Sequence, residues 1–71
     1  MSLSIALSNY IYDQQRFVHK AELEDYARQL GYLADNCGRR LRELEAEGTL
    51  IGRLNEHGVK EYRYVPPTER F

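Results

Sequence analysis

The amino-acid sequence predicts a single α+β domain in which three helices precede a small antiparallel β-hairpin. Apolar residues recur at helical spacing over residues 3–47, whereas residues 50–65 alternate between apolar and polar around a short loop that contains Gly58. A chain of 71 residues has room for one domain. We expect this domain to span residues 1–65 and residues 66–71 to form a flexible tail, because Pro66 and Pro67 cannot continue a central strand.

The first helix is predicted over Leu3–Gln14, with Ser2 or Ser4 as its cap. Residues 16–18 then form a short extended piece. Ile5 and Tyr12 fall outside the apolar stripe of this helix, so they either make a symmetric homodimer contact or only cover the core of a small domain. The stripe itself consists of Leu3, Leu7, Tyr10, Ile11 and Gln14.

The second helix is predicted to begin near His19 or Lys20 and to end at Gly31, which suits a left-handed C-terminal cap. Its apolar stripe has the spacing i, i+3, i+4, i+7. We assign to this stripe Leu23, Tyr26, Ala27 and Leu30.

The third helix is predicted from an N-cap at Asp35 to Glu47, with Gly48 ending it. Cys37, Leu41 and Leu44 mark its buried face. A step of about 100° per residue then directs Asp35, Arg39 and Arg42 outward and leaves Arg40 nearer the apolar flank. Cys37 is expected to be a small core residue rather than a reactive thiol, because it falls on the inward side.

Two strands are predicted at Leu50–Leu54 and at residues 59–65, joined by a loop in which Gly58 takes the left-handed position. Period-two alternation assigns the strand residues to the two faces of the hairpin. The inward residues are Leu54, Tyr62 and Tyr64, and the outward residues are Arg53, Glu61 and Arg63.

Composition excludes several classes of function. No apolar run reaches the ~20 residues of a membrane span, and the first residues lack the features of a signal peptide, so we expect a cytoplasmic protein. The one cysteine and two histidines are far apart, and no metal-ligand spacing, phosphate-binding glycine loop or nucleophile motif is present. We therefore expect neither enzymatic activity nor a metal or other cofactor.

Three stretches of the chain carry a resemblance to a known family. They are residues 21–23, residues 30–32 and residues 39–51, the last of which read RRLRELEAEGTLI and join the third helix to the first strand through Gly48. These stretches resemble winged helix-turn-helix transcription regulators of the MarR and ArsR kind. The resemblance implies a winged helix-turn-helix fold in which the hairpin is the wing, and it implies binding to double-stranded DNA.

In that family the third helix enters the major groove, and its N-terminal half meets base edges. The resemblance therefore implies that Asn36 and Arg39 read bases, since Asn can pair with adenine and Arg with guanine. Arg40 and Arg42 are better placed for phosphates. The wing offers four further candidates for DNA contact, which are Arg53, His57, Lys60 and Arg63.

Charge keeps a second interpretation open. The net charge is −1, and the third helix carries acidic residues beside its arginines, so the arginines can also be a solvated face held by pairs such as Arg39–Glu43 and Arg42–Glu45. The alternative to DNA binding is a winged-helix module that binds a protein within a larger assembly. A continuous positive strip from Arg39 to Lys60 and Arg63 favours DNA, whereas a broken strip with exposed apolar residues favours a protein partner.

Overall fold

Three α-helices and three short β-strands make up the computed structural model, which describes residues 2–69. The α+β class and the antiparallel hairpin after the third helix are confirmed. Arg70 and Phe71, the end of the predicted tail, lie outside the described residues. The elements are α1 (Leu3–Gln14), β1 (Val18–His19), α2 (Lys20–Gln29), α3 (Ala34–Ala46), β2 (Leu50–Leu54), β3 (Lys60–Tyr64) and a 3-10 turn (Pro67–Glu69).

Helix α1 has the predicted bounds, and Ser2 is its cap. The Ser2 hydroxyl accepts a hydrogen bond from the Ile5 N–H at 3.2 Å, which satisfies one of the backbone donors that a helix start leaves unpaired. The helix ends at Gln15, which adopts a left-handed conformation with φ 54°. The chain then turns back, and β1 begins three residues later.

Helix α3 begins two residues before the predicted start. Its N-cap is Leu33, and the prediction of Asp35 as N-cap is wrong. The extended backbone of Leu33 lets its carbonyl accept from the N–H groups of Asn36 and Cys37 at 3.1 and 3.2 Å, so backbone geometry alone starts the helix. Asp35 lies in the first turn instead, where the helix dipole favours a negative charge. At the other end α3 stops at Ala46, one residue before the predicted end.

The sheet has the strand order β1-β3-β2, and both pairings are antiparallel. The short extended piece predicted after α1 is a strand, at Val18–His19 rather than at residues 16–18. It pairs with the hairpin through Val18 opposite Tyr62, and this pairing was not predicted from the sequence. The Asn55 side chain closes the hairpin loop by accepting from the N–H groups of His57 and Val59 at 2.8 and 3.0 Å. Gly58 has the predicted left-handed conformation, with φ 75°.

The core lies between the helices and one face of the sheet. Tyr62 is buried as predicted, whereas Tyr10, Tyr26 and Tyr64 are partly buried and pack against the edge of the core. Burial of Cys37 is confirmed. The core residues are Leu3, Leu7, Ile11, Val18, Leu23, Ala27, Cys37, Leu41, Leu44, Leu50 and Tyr62.

Two residues predicted to face inward are exposed. Leu30 is 46% exposed because α2 ends at Gln29; the Tyr32 N–H then donates to the Ala27 carbonyl at 2.9 Å, and Tyr32 packs against the core. Leu54 is 68% exposed, although it shares a face of β2 with the buried Leu50. Leu54 lies at the loop end of the strand. Period-two alternation predicts which face of the sheet its side chain is on, but not whether another element packs against that face at this position.

Candidate functional site

The outward face of α3 carries two exposed arginines. Arg39 and Arg42 lie opposite the buried Cys37 and Leu41, as the helical period predicts. Within residues 2–69 neither guanidinium has an ion pair. Asn36 is exposed one turn before Arg39. The outward face of α3 therefore presents to solvent the amide of Asn36 and two guanidinium groups that have no ion pair within residues 2–69.

Arg40 differs from these neighbours because it is neutralised locally. Its Nη1 donates to both carboxylate oxygens of Glu43, at 2.9 and 3.0 Å. The predicted pairs Arg39–Glu43 and Arg42–Glu45 do not form, since Glu43 pairs with Arg40 instead. Both partners are more than 40% exposed, so water screens the pair and it adds little stability.

The first cation of the hairpin is also compensated. The Arg53 Nε donates to Glu61 Oε1 at 3.0 Å, across the β2–β3 pair, and its guanidinium lies 3.8 Å from the centre of the Phe17 ring. This hydrogen bond is the main reason that the pKa of Glu61 lies below its ordinary value. Arg53 is therefore held on the outer face of the sheet, away from the helices.

Lys60 connects the hairpin to α3. Its Nζ lies 3.2 Å from Glu45 Oε1, with both side chains about two-thirds buried. The pair lies directly over Gly52: a Cβ at this glycine would stand 2.4 Å from Lys60 Cε and 2.6 Å from Glu45 Oε2. The absence of a side chain at position 52 leaves the space through which strand and helix are joined.

The two remaining hairpin candidates lie apart from α3. His57 is exposed in the loop, with its Nε2 3.6 Å from the adjacent Glu56 carboxylate. Arg63 lies on the opposite face of β3 from the buried Tyr62, in a shallow depression shared with Tyr12 and Pro66. The structure thus groups Asn36, Arg39, Arg40 and Arg42 on one helix and brings Lys60 to it. It does not bring Arg63 to this surface.

A polar network that the sequence did not predict joins α1 to α2. The Tyr10 hydroxyl donates to Glu22 Oε2, and Arg16 Nη2 donates to both Glu22 oxygens at 3.0 and 3.1 Å. The Tyr10 hydrogen bond, followed by Arg16, holds the pKa of Glu22 below its usual range, and the same hydrogen bond raises the pKa of Tyr10. The Tyr10 ring also packs against Tyr26, with centroids 4.5 Å apart. This network therefore joins α1 and the residue that follows its cap to the first turn of α2.

The residues that the structure describes give little support to metal binding or to thiol chemistry. Among them, no three His, Cys, Asp or Glu side chains come together as metal ligands do. Burial raises the pKa of the Cys37 thiol to about 11, which disfavours the reactive thiolate. Among residues 2–69, no helix has the length and apolar character that crossing a membrane requires.

No family model, curated protein or solved structure matches this chain.

Proposed function

We propose that this domain is a winged helix-turn-helix module that binds double-stranded DNA in transcriptional regulation, in the cytoplasm. The order of elements, the α2–α3 pair joined through Gly31 and the strand order β1-β3-β2 support the fold. The observation that carries the function is the outward face of α3, where Arg39 and Arg42 are exposed and have no ion pair within residues 2–69. Such cations contact DNA without first breaking an internal pair.

In this proposal α3 enters the major groove through its N-terminal half. Arg39 and Asn36 read base edges, because guanidinium and amide groups match the hydrogen-bonding patterns of guanine and adenine. Arg42 contacts a phosphate.

The cations of the hairpin were predicted to contact DNA, but their ion pairs indicate a supporting role instead. Arg53 and Lys60 are already paired with Glu61 and Glu45, and Arg40 on α3 is paired with Glu43. We therefore assign to the hairpin the role of a wing that rests beside the phosphate backbone, with Arg53 and Lys60 held by carboxylates, and that orients α3 through the Lys60–Glu45 pair. Few phosphates are neutralised, so affinity for arbitrary sequence is low, and the proposal involves no cofactor and no catalytic step.

The direct test is titration of the protein into a labelled mixed-sequence duplex, followed by fluorescence anisotropy at about 50 and 200 mM salt. We expect weak binding, with Kd on the order of 10⁻⁶ to 10⁻⁴ M, that Arg39→Ala and Arg42→Ala reduce further. Arg28→Ala is the matched control, because it removes the same charge from an exposed position on α2 where Arg28 pairs with Asp25. Equal losses in all three variants would mean that only net charge matters and would refute the assignment of α3.

Binding to a protein partner is the second candidate function, and a specific observation favours it. Leu33, 72% exposed, precedes α3, and Ile51 and Leu54 are exposed on the hairpin beside cations that already have carboxylate partners. The charges of Arg53 and Lys60 are therefore compensated, while apolar groups on the hairpin and before α3 stay exposed, as a protein-binding surface requires. Failure to bind duplex at low salt, by protein that circular dichroism shows to be folded, would favour this function over DNA binding.

A further inference from the structure

Strand β2 forms one edge of the sheet, because the strand order is β1-β3-β2. Its ladder with β3 is regular from Leu50 opposite Tyr64 to Leu54 opposite Lys60, with no bulge between them. The other edge is β1, which has only two residues. A short strand offers little to an incoming chain, whereas β2 offers five consecutive residues.

Hydrogen bonds just outside β2 fix which of its backbone groups point outward. The Val65 N–H donates to the Thr49 carbonyl at 2.9 Å, and the Asn55 N–H donates to the Val59 carbonyl at 2.9 Å. Backbone groups in an antiparallel pair point toward the partner strand at every second residue. Ile51 and Arg53 therefore point their N–H and C=O groups at β3, as Thr49 and Asn55 do.

The alternate residues Leu50, Gly52 and Leu54 direct their backbone N–H and C=O groups to the open edge. No hydrogen bond outside the β2–β3 ladder uses these groups within residues 2–69. The strand also lacks the usual protection of an edge, since it contains no lysine and no proline, and its one charged side chain, Arg53, is compensated by Glu61. Ile51 and Leu54 add exposed apolar surface, at 51% and 68% exposure.

We propose that β2 pairs antiparallel with β2 of a second copy of this chain, about a two-fold axis at Gly52. The sequence of the strand is LIGRL, which is nearly symmetric about its central glycine. The axis puts Leu50 opposite Leu54 of the second copy and Gly52 opposite Gly52. These are the residues whose groups point outward, so the register that the axis imposes is the one in which every outward N–H meets a C=O.

The side chains agree with this register. On the face that packs against the helices, the exposed Leu54 comes beside Leu50 of the second copy, at the boundary of its buried core. On the outer face, Ile51 comes beside the aliphatic stem of Arg53 of the second copy. Gly52 leaves the axis free of side chains, and the Lys60–Glu45 pair that lies over it in each copy carries no net charge. Two such pairs therefore meet without repulsion between like charges.

Analytical ultracentrifugation across a concentration series tests the proposal without any DNA, so its result is independent of the proposed function. We expect a reversible dimer in the micromolar range, as suits a small interface. Leu54→Lys places a charge at the paired edge and raises the dissociation constant at least about tenfold. Ile5→Lys is the matched control: Ile5 is 54% exposed on α1, and dimerisation of this variant stays unchanged.

Because the Leu54 and Ile5 side chains are both exposed, the variants Leu54→Lys and Ile5→Lys should keep their fold. Far-ultraviolet circular dichroism verifies this. A wild-type chain that stays monomeric up to about 1 mM overturns the proposal, since so weak a pairing has no bearing on the protein. A dimer abolished by Ile5→Lys and kept by Leu54→Lys also overturns it, and assigns the contact to the outer side of α1.

Cross-linking supplies a positive test. Ile51 and Arg53 of the second copy would face each other as a non-hydrogen-bonded pair, a geometry close enough for a disulfide. The double variant Ile51→Cys/Arg53→Cys should therefore form a covalent dimer under mild oxidation, while the native Cys37 stays buried and does not interfere. The double variant Ile5→Cys/Tyr12→Cys is the control on α1. Cross-linking of the control alone would contradict pairing through β2.

Discussion

Replacement of Tyr10 by phenylalanine tests the network that joins α1 to α2. The substitution keeps the ring that packs against Tyr26 and removes only the hydroxyl that donates to Glu22. A hydrogen bond to a charged group contributes about 1.5–3 kcal/mol. Glu22 keeps both hydrogen bonds from Arg16 and is one-third exposed, so the loss should fall below that range, at about 1 kcal/mol. In a domain of this size that loss lowers Tm by about 4–8 °C.

Urea denaturation followed by circular dichroism at neutral pH measures this loss. Tyr12→Phe is the matched control, because the Tyr12 side chain is exposed and its ring contact with Tyr64 does not require the hydroxyl. The free energy of unfolding of this control should stay within about 0.5 kcal/mol of wild type. Equal losses in the two variants would refute the assignment of stability to the Tyr10–Glu22 hydrogen bond.

The pH dependence gives an independent check of the same reasoning. The pKa of Glu22 is lower in the folded chain, because the Tyr10 hydroxyl and then Arg16 stabilise the carboxylate. This stabilisation is fully present above the unfolded-state pKa, about 4.3, and is lost as pH falls through the lower folded-state pKa. The difference between wild type and Tyr10→Phe should therefore shrink as the solution is acidified. A difference that is constant or grows toward acid pH would contradict the role of the carboxylate.

Three further predictions concern the core, the thiol and the Lys60–Glu45 pair. Leu41→Ala should cost about 2–5 kcal/mol in urea denaturation, because Leu41 is fully buried; a loss below 1 kcal/mol would show that the site collapses around the gap. With its pKa raised to about 11, Cys37 should resist a chromogenic thiol reagent at pH 8 in the native chain and react in urea, so rapid native reaction would contradict its burial. Glu45→Ala should release Lys60 and steepen the salt dependence of duplex binding by up to about 0.9 in the log–log slope. Glu24→Ala, with the same charge change on α2, should leave that slope unchanged. Equal slopes in both variants would contradict the inference that Glu45 keeps Lys60 from the phosphates.

Elements defined by local sequence could be predicted closely. The bounds of α1 follow from its apolar spacing and from Ser2, and the end of α2 follows from Gly31, which has φ 91°. The hairpin follows from alternation around Gly58. In each case the interactions that set the element join residues only a few positions apart, so they can be predicted from the sequence alone.

Properties that depend on distant residues could not be predicted in the same way. The pairing of β1 with β3 and the contact of Tyr10 with Glu22 join segments with no shared local signal. The partner of Arg40 was missed for a different, local reason: helical spacing offers Glu43 to both Arg39 and Arg40, and only side-chain geometry selects Arg40. Leu54 is exposed although it shares a face of β2 with the buried Leu50, because alternation along a strand does not show which part of a face other elements cover.

The two-residue strand β1 should join the sheet at a different stage of folding from the β2–β3 hairpin. Its pairing with β3 closes a loop that contains α2, α3 and β2, whereas the β2–β3 hairpin closes only its own short loop. The hairpin can therefore form early, and β1 docks late and opens first. His19 belongs to β1 and also caps α2, because its Nδ1 accepts from the Ala21 N–H at 3.0 Å. Release of this strand and fraying of the first turn of α2 are consequently one event, and amide hydrogen exchange should report them with a single opening free energy.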